Sequence, residues 1–126
     1  MVSVLDSSAA LAVLFAERGQ EVVMPVLDGA LISSVNASEV LRVLQRRGSG
    51  AADARTVFRE LKLRVLAFDF DDAAAAAEIG DTTPYLSFGD CACIALARRE
   101  SADQVLTADR IWAETDLGVK VRLIRR

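Results

Sequence analysis

Short apolar runs alternate with segments of helical pattern along the whole chain. Five runs are predicted as strands, at residues 2–5, 30–33, 63–68, 104–107 and 119–124. Helices are predicted at about 7–16, 19–29, 36–48, 52–61, 71–79 and 89–99, with a helical turn at 110–115 and a loop at 82–88. Strands that alternate with helices are typical of a parallel sheet with helices on both faces. The sequence therefore predicts an α/β fold with three layers (α/β/α) and a central, mostly parallel sheet of about five strands.

The length and composition fit one folded domain over residues 1–126. The chain is 52% hydrophobic, so a globular fold is favoured over disorder. No apolar stretch reaches the roughly 18 residues needed to span a bilayer. The first residues run directly into a predicted strand, without the basic and long apolar regions of a signal peptide. We therefore expect a cytoplasmic protein with no membrane partner.

The absence of histidine excludes several kinds of active site. Neither a Ser-His-Asp nor a Cys-His arrangement is possible, and histidine-ligated zinc is excluded as well. Cys91 and Cys93 are too close in sequence for an ordinary disulfide, and their apolar surroundings predict small buried side chains. If the protein is a hydrolase, carboxylates with a hard metal ion are the main remaining route.

Four acidic residues share one position in the predicted fold. Asp6 and Asp109 follow strands, Glu39 lies near the first turn of the helix after residues 30–33, and Asp90 begins an almost wholly apolar helix. The carboxyl ends of parallel strands lie along one edge of a sheet, where open α/β sheets bind their ligands. We expect the four carboxylates to converge at this edge, Asp90 by way of the packing of its helix.

Helix capping is the alternative explanation for each acid taken singly. Asp6 and Asp109 suit N-cap positions, and the segments 36–39 and 87–90 both fit a capping box. Four caps at one edge would nevertheless create a strongly anionic pocket, in which each carboxylate raises the pKa of the others. A divalent cation would offset that cost, and oxygen ligands favour Mg²⁺ or Mn²⁺.

The helix from Asn36 also carries a row of basic residues. Arg42 and Arg46 fall on the side of Glu39, opposite the apolar stripe. They could contact a phosphate backbone, or they could form a solvated face with a weak Glu–Arg ion pair, and the sequence leaves both open. The formal net charge is −3, and it becomes +1 when the four candidate acids are set aside. An acidic composition therefore does not argue against a nucleic-acid substrate.

Four sequence blocks together resemble a known family. They begin at Val4-Leu5-Asp6-Ser7, Asn36-Ala37-Ser38-Glu39, Leu86-Ser87-Phe88-Gly89-Asp90 and Leu106-Thr107-Ala108-Asp109. In order and spacing they look like the acidic blocks of PIN-domain nucleases, and most resemble the toxin ribonucleases of bacterial VapBC toxin–antitoxin pairs. The resemblance implies that Asp6, Glu39, Asp90 and Asp109 hold one or two Mg²⁺ ions, with Mn²⁺ as a substitute. It also implies supporting roles for Thr107, Ser7 and Asp116.

The same resemblance implies a function and partners. It predicts a magnesium-dependent ribonuclease toxin that cleaves RNA, is inhibited by a cognate antitoxin protein and forms a homodimer. The antitoxin is expected to lie over residues 7–28 and 36–47 and to place a basic side chain among the acids.

Three alternatives are weaker. One is a non-catalytic PIN-like RNA-binding module. Another is a phosphoacceptor receiver domain with Asp69 as acceptor, but Asp6 lacks a neighbouring acid and Lys120 lies inside the last strand. The third is a haloacid-dehalogenase-like phosphatase, suggested by Asp69 and Asp71, but Ala73 stands where such enzymes have Thr or Val.

Overall fold

Five short strands and six helices make up the fold in a computed structural model that describes residues 1–126. The strands are β1 (Ser3–Leu5), β2 (Leu31–Ser33), β3 (Arg64–Leu66), β4 (Gln104–Thr107) and β5 (Val121–Leu123). The helices are α1 (Ser7–Leu14), α2 (Gln20–Val23), α3 (Ser34–Arg46), α4 (Ala51–Arg59), α5 (Phe70–Thr82) and α6 (Phe88–Arg99). Two 3₁₀ helices lie at Met24–Val26 and Arg110–Glu114. None of the helices is long and apolar enough to cross a membrane.

All five strands form one parallel sheet in the order β3-β2-β1-β4-β5. The chain leaves β1 toward β2 and β3 and later returns to β4 and β5 on the other side. The strand order therefore reverses between β1 and β4, where the carboxyl ends of an open sheet form a ligand-binding crevice. The prediction of a mostly parallel, five-stranded α/β/α fold is confirmed.

The side chains of the central strands alternate between two apolar layers. Val4 and Val105 face the layer that contains α5 and α6, whereas Leu5 and Leu106 face α1 and α2. Helix α6 is buried from Cys91 to Ala97, in keeping with its lack of a polar face between Asp90 and Arg98. Its N-terminus is thereby fixed against the sheet edge, as predicted for the helix that begins near Asp90.

Several predicted boundaries were wrong, and three of them have a clear physical reason. Helix α3 begins at Ser34 and is capped by Ser33, which accepts a hydrogen bond from Val35, so Asn36 lies inside the helix and does not cap it. The helix predicted at 19–29 ends at Val23 and tightens into a 3₁₀ turn that contains Pro25, which cannot donate a helical hydrogen bond. Strand β3 has only three residues because it lies at the edge of the sheet and pairs on one side alone.

Candidate active site

Asp6 is a buried carboxylate at the end of the central strand β1. Its side chain is about 5% exposed, and its backbone nitrogen donates to the carbonyl of Leu106 on β4. It occupies the N-cap position of α1, yet its side chain makes no capping hydrogen bond. Its Oδ2 atom instead accepts 2.8 Å hydrogen bonds from the hydroxyls of Ser8 and Thr107. A capping role therefore does not explain this acid.

The same two hydroxyls attach Asp6 to the turn that carries Asp109. Ser8 Oγ accepts from the nitrogen of Ala108 at 2.9 Å, and Thr107 Oγ1 accepts from the nitrogen of Asp109 at 3.0 Å. Asp109 caps the following 3₁₀ helix through Oδ1, which accepts from Ile111. The end of β1 and the end of β4 are thus joined by a small hydrogen-bond network, as expected for neighbouring strands at the switch point.

Glu39 reaches toward α6 from the second turn of α3. Its Oε1 atom accepts a 2.9 Å hydrogen bond from the side-chain nitrogen of Asn36, which also donates to the carbonyl of Gly89. The Glu39 carboxylate lies directly over Gly89, where a Cβ atom would collide with it. Glycine at position 89 therefore lets the Glu39 carboxylate approach the backbone next to Asp90, and a larger residue there would make this side chain move.

Asp90 completes a capping box at the start of α6. Its Oδ2 atom accepts from the nitrogen of Ser87 at 3.0 Å, and Ser87 Oγ accepts from the nitrogen of Asp90 at 3.2 Å. The predicted capping box is confirmed here, but it uses only one oxygen of the carboxylate.

The four acids share one hydrogen-bonding pattern. In each, one carboxylate oxygen accepts from the protein and the other accepts from no protein donor. The free atoms are Asp6 Oδ1, Glu39 Oε2, Asp90 Oδ1 and Asp109 Oδ2. Each carboxylate is consequently oriented by the fold while keeping one oxygen available as a ligand.

The charges of these acids act on one another. Burial is the main cause that raises the pKa of Asp6 to about 6; the hydrogen bonds from Ser8 and Thr107 oppose the rise, and the nearby charges of Asp90 and Glu39 add to it. Cys93 lies beneath the same acids, where burial and their charges raise the pKa of its thiol well above the ordinary value. Both cysteines are free and buried, as predicted.

The donor set fits a hard divalent cation, although the carboxylates are not gathered around one point. No three acidic or sulfur-containing side chains lie close enough together to enclose a metal ion. Mutual repulsion favours such separation, and rotation of the side chains would be needed for closer approach. The available ligand atoms are four carboxylate oxygens, and no accessible donor is a sulfur atom. Mg²⁺ and Mn²⁺ prefer such oxygen ligands.

The other predicted residues take different positions. Ser7 makes no side-chain hydrogen bond, and Asp116 accepts only from the backbone of Gly118. Arg42 and Arg46 are exposed on α3 and pair with no acid. Thr107 does lie beside Asp6.

Sequence reasoning missed Ser8 and Asn36. The signal for Asn36 was its position three residues before Glu39 on a helix, which places both on one side. Ser8 could have been found from its spacing two residues after Asp6, a separation at which a hydroxyl reaches back to the preceding carboxylate.

Other features of the molecule lie away from the acids. The largest surface groove, of about 390 Å³, lies between α3, α4 and β3 and is lined by Leu41, Phe58 and Leu63 with Arg55 and Arg59. Asp69 follows β3 at the sheet edge and forms a capping box with Asp72, which pairs with Arg99 at 2.6 Å. These contacts account for Asp69 in structural terms and do not support an acceptor role.

Several solved structures share this fold. VapBC2 from Rickettsia felis, bound to a DNA fragment from its promoter, matches with a TM-score of 0.75 at 11% identity over 98% of each chain. VapBC-1 from nontypeable Haemophilus influenzae matches with 0.75 at 13% over 98% of each. VapC20 from Mycobacterium tuberculosis, described as a Sarcin-Ricin loop cleaving toxin, matches with 0.67 at 16%, over 89% of this chain and 93% of VapC20. At these identities the likeness establishes the fold alone.

The sequence comparisons identify the family. Curated protein sequences give no match. The family model of the PIN domain, however, matches residues 3–117, from β1 to the turn before β5. That match spans all four acidic blocks and nearly the whole chain, and the protein therefore belongs to the PIN domain family.

Proposed function

We propose that this protein is a metal-dependent ribonuclease that hydrolyses RNA phosphodiester bonds and acts as the toxin of a toxin–antitoxin pair. The observation that carries the proposal is the shared pattern of Asp6, Glu39, Asp90 and Asp109, each held by one oxygen and free at the other. PIN domains generally use a divalent metal, and hard oxygen donors suit Mg²⁺, with Mn²⁺ as a substitute.

The protein side chains have separable roles in this proposal. Asp6, Glu39, Asp90 and Asp109 would hold the cation through their free oxygens. Ser8 and Thr107 orient Asp6 and help to keep it charged, because both donate to the same carboxylate oxygen. When bound, the cation supplies positive charge opposite the phosphate and lowers the pKa of a water molecule. With water as the nucleophile the RNA 2′-hydroxyl would be unnecessary: a P–O bond to water would form as the bond from phosphorus to the 3′ oxygen breaks, so the products should carry 3′-hydroxyls and 5′-phosphates.

The RNA is expected to approach across α3. Arg42 and Arg46 are exposed on this helix and unpaired, which leaves their guanidinium groups available to phosphate oxygens. Ser7 and Asp116 remain outer candidates whose roles would be to contact the substrate or the cation from the rim.

A partner protein follows from the toxin proposal. Similar folds occur in the VapBC-1 and VapBC2 structures, and VapC20 is described as a Sarcin-Ricin loop cleaving toxin. For this chain we propose a cognate antitoxin that lies over residues 7–28 and 36–47 and sends a basic side chain toward the carboxylates of Asp6, Glu39, Asp90 or Asp109. The proposal also includes a homodimer in the cytoplasm.

Cleavage of RNA by the purified protein tests the function. Single-stranded RNA should be cut in Mg²⁺ or Mn²⁺ and left intact in excess chelator. Asp109→Asn should lose cleavage, because it keeps a side-chain acceptor for Ile111 but loses a charge. Asp28→Asn is the matched control, since Asp28 is exposed and lies outside the site. Undiminished cleavage in chelator would contradict the proposal, and RNA binding without cleavage in either metal would favour a non-catalytic binding module.

A further inference from the structure

Asn36 is a buried polar side chain that capping does not explain. It is 0% exposed inside α3. Its amide nitrogen donates to two acceptors on different helices, Glu39 Oε1 at 2.9 Å and the Gly89 carbonyl at 3.0 Å. Its Oδ1 atom is buried and has no hydrogen-bond partner.

The orientation of the Asn36 amide is fixed by its neighbours. A rotation of the amide by 180° would place its oxygen against two other oxygen acceptors, so the nitrogen must face Glu39 and Gly89. The unpaired Oδ1 atom is the consequence, and a buried acceptor without a partner is destabilising. If folding stability were the only requirement, an apolar residue would suit this buried position better than Asn36.

The position of Glu39 depends on this arrangement. Asn36 holds Oε1 on one side, and on the other the carboxylate lies against the bare Cα of Gly89. A methyl group on Gly89 would collide with all three carboxylate atoms of Glu39, most closely with Oε2, so this side chain would have to move. The carboxylate is thus held between two elements, with Oε2 left without a donor and next to the start of α6.

We propose that Asn36 is a positioning residue that fixes the Glu39 carboxylate against Gly89, next in sequence to Asp90, as a ligand for the cation. This inference rests on the proposed metal-dependent function and adds a residue to it. Groups that hydrogen-bond to a metal ligand orient it, and their loss typically weakens metal affinity by about 10- to 100-fold.

Binding of Mn²⁺ to the full chain tests the inference without an activity assay. Electron paramagnetic resonance of free Mn²⁺ gives the affinity of the wild type and of Asn36→Leu, a variant of similar size that cannot donate. We expect Asn36→Leu to bind Mn²⁺ about 10- to 100-fold more weakly. Its melting temperature in chelator should change little, because the removal of the unpaired acceptor offsets the loss of the hydrogen bonds to Glu39 and Gly89. Gln45→Leu, an exposed change on the same helix, should leave the affinity unchanged.

A double-mutant cycle shows whether Asn36 acts through Glu39. In a Glu39→Ala background, Asn36→Leu should cause no further loss of Mn²⁺ affinity, whereas a role in general packing would add its own loss. Asn36→Ser, whose side chain is too short to reach both acceptors, makes the same test if the leucine variant does not fold.

The outcomes of these experiments separate the positioning role of Asn36 from the proposed function of the protein. Equal Mn²⁺ affinity of the wild type and a folded Asn36 variant would overturn the positioning role and leave the proposed function standing. Failure of both Asn36 variants to fold would also overturn it, since it would show that the residue serves the fold. A wild type that binds no Mn²⁺ would overturn the proposed function and this inference with it.

Discussion

Thr107 donates a 2.8 Å hydrogen bond to Asp6 across the two central strands, and its own oxygen accepts from the backbone of Asp109. One hydroxyl therefore connects the buried acid at the end of β1 to the acid after β4. Because Ser8 donates to the same Oδ2 atom of Asp6, the Oδ1 atom is the one that remains free. Asp6 therefore has one carboxylate oxygen, Oδ1, available to bind a cation.

Replacement of Thr107 by valine should raise the pKa of Asp6. The variant keeps the shape of the side chain but removes a donor that lowers this pKa, while burial is unchanged. A hydrogen bond to a charged group is worth about 1.5–3 kcal/mol, so the acidic limb of the pH profile of RNA cleavage should move up by about 1 pH unit or more. Thr56→Val, an exposed change on α4, is the control. An unshifted profile in Thr107→Val would contradict the proposed orientation of Asp6.

The raised pKa of Asp6 predicts a dependence of stability on pH. Its carboxyl has a pKa of about 6 in the folded protein against 3.8 in the unfolded chain, so the folded state binds the proton more tightly. The stability that Asp6 contributes is therefore full below about pH 4 and is lost as the pH rises toward 6. The difference is equivalent to about 3 kcal/mol.

Asp6→Asn tests whether the Asp6 carboxylate lowers the stability of the folded protein as the pH rises. The amide oxygen can still accept from Ser8 and Thr107, but no charge is buried. In chelator, the melting temperature of Asp6→Asn should exceed that of the wild type at pH 7.5, and the difference should shrink near pH 4.5. A variant less stable than the wild type at pH 7.5 would contradict the burial of a costly charge.

Asp90→Asn separates the two roles of that residue. The capping box uses one carboxylate oxygen, which asparagine can replace, so the stability without metal should stay level or rise as repulsion from Asp6 is relieved. RNA cleavage should fall by about 100-fold or more, the scale on which charge-stabilising groups act in active sites. Thermal unfolding and cleavage rates measure the two effects. A large loss of stability with cleavage retained would show that Asp90 is only a cap.

The partner proposal is tested by expression in cells. The chain alone should arrest growth, and Asp6→Ala should not. Co-expression with the product of the neighbouring upstream gene should restore growth, and the two proteins should co-purify as a complex without nuclease activity. Equal toxicity of the wild type and Asp6→Ala would indicate that the harm comes from aggregation or binding.

Most of the fold could be predicted from the alternation of apolar runs. This pattern is strong because the central strands are buried on both faces, as at Val4 and Leu106. Boundaries were less well determined, because several residues in one segment can serve as a cap. Ser33, Ser34 and Asn36 are all good N-cap residues, and only the register of β2 selects Ser33.

The candidate site could be predicted less completely. The four acids could be placed because the ends of parallel strands share an edge, a rule that requires no knowledge of side-chain packing. The contacts of Ser8 and Asn36 depend on side-chain rotamers and on how closely α3 approaches α6, which no spacing in the sequence specifies. The close approach of Glu39 to Gly89 is of the same kind. Their effects on metal binding remain predictions.

The cysteines of helix α6 also provide a way to measure how often this part of the protein opens. Cys91 and Cys93 are its only thiols, both are buried in this helix, and Cys93 lies under the acids. Cys93 is 0% exposed, so a thiol reagent can modify it only after a local opening of α6, and the rate of its modification reports how often the region that carries Asp90 opens. A cation bound between Asp90 and the ends of the strands would slow that rate. The wild-type chain, without an added label, would therefore report cation binding at its own site.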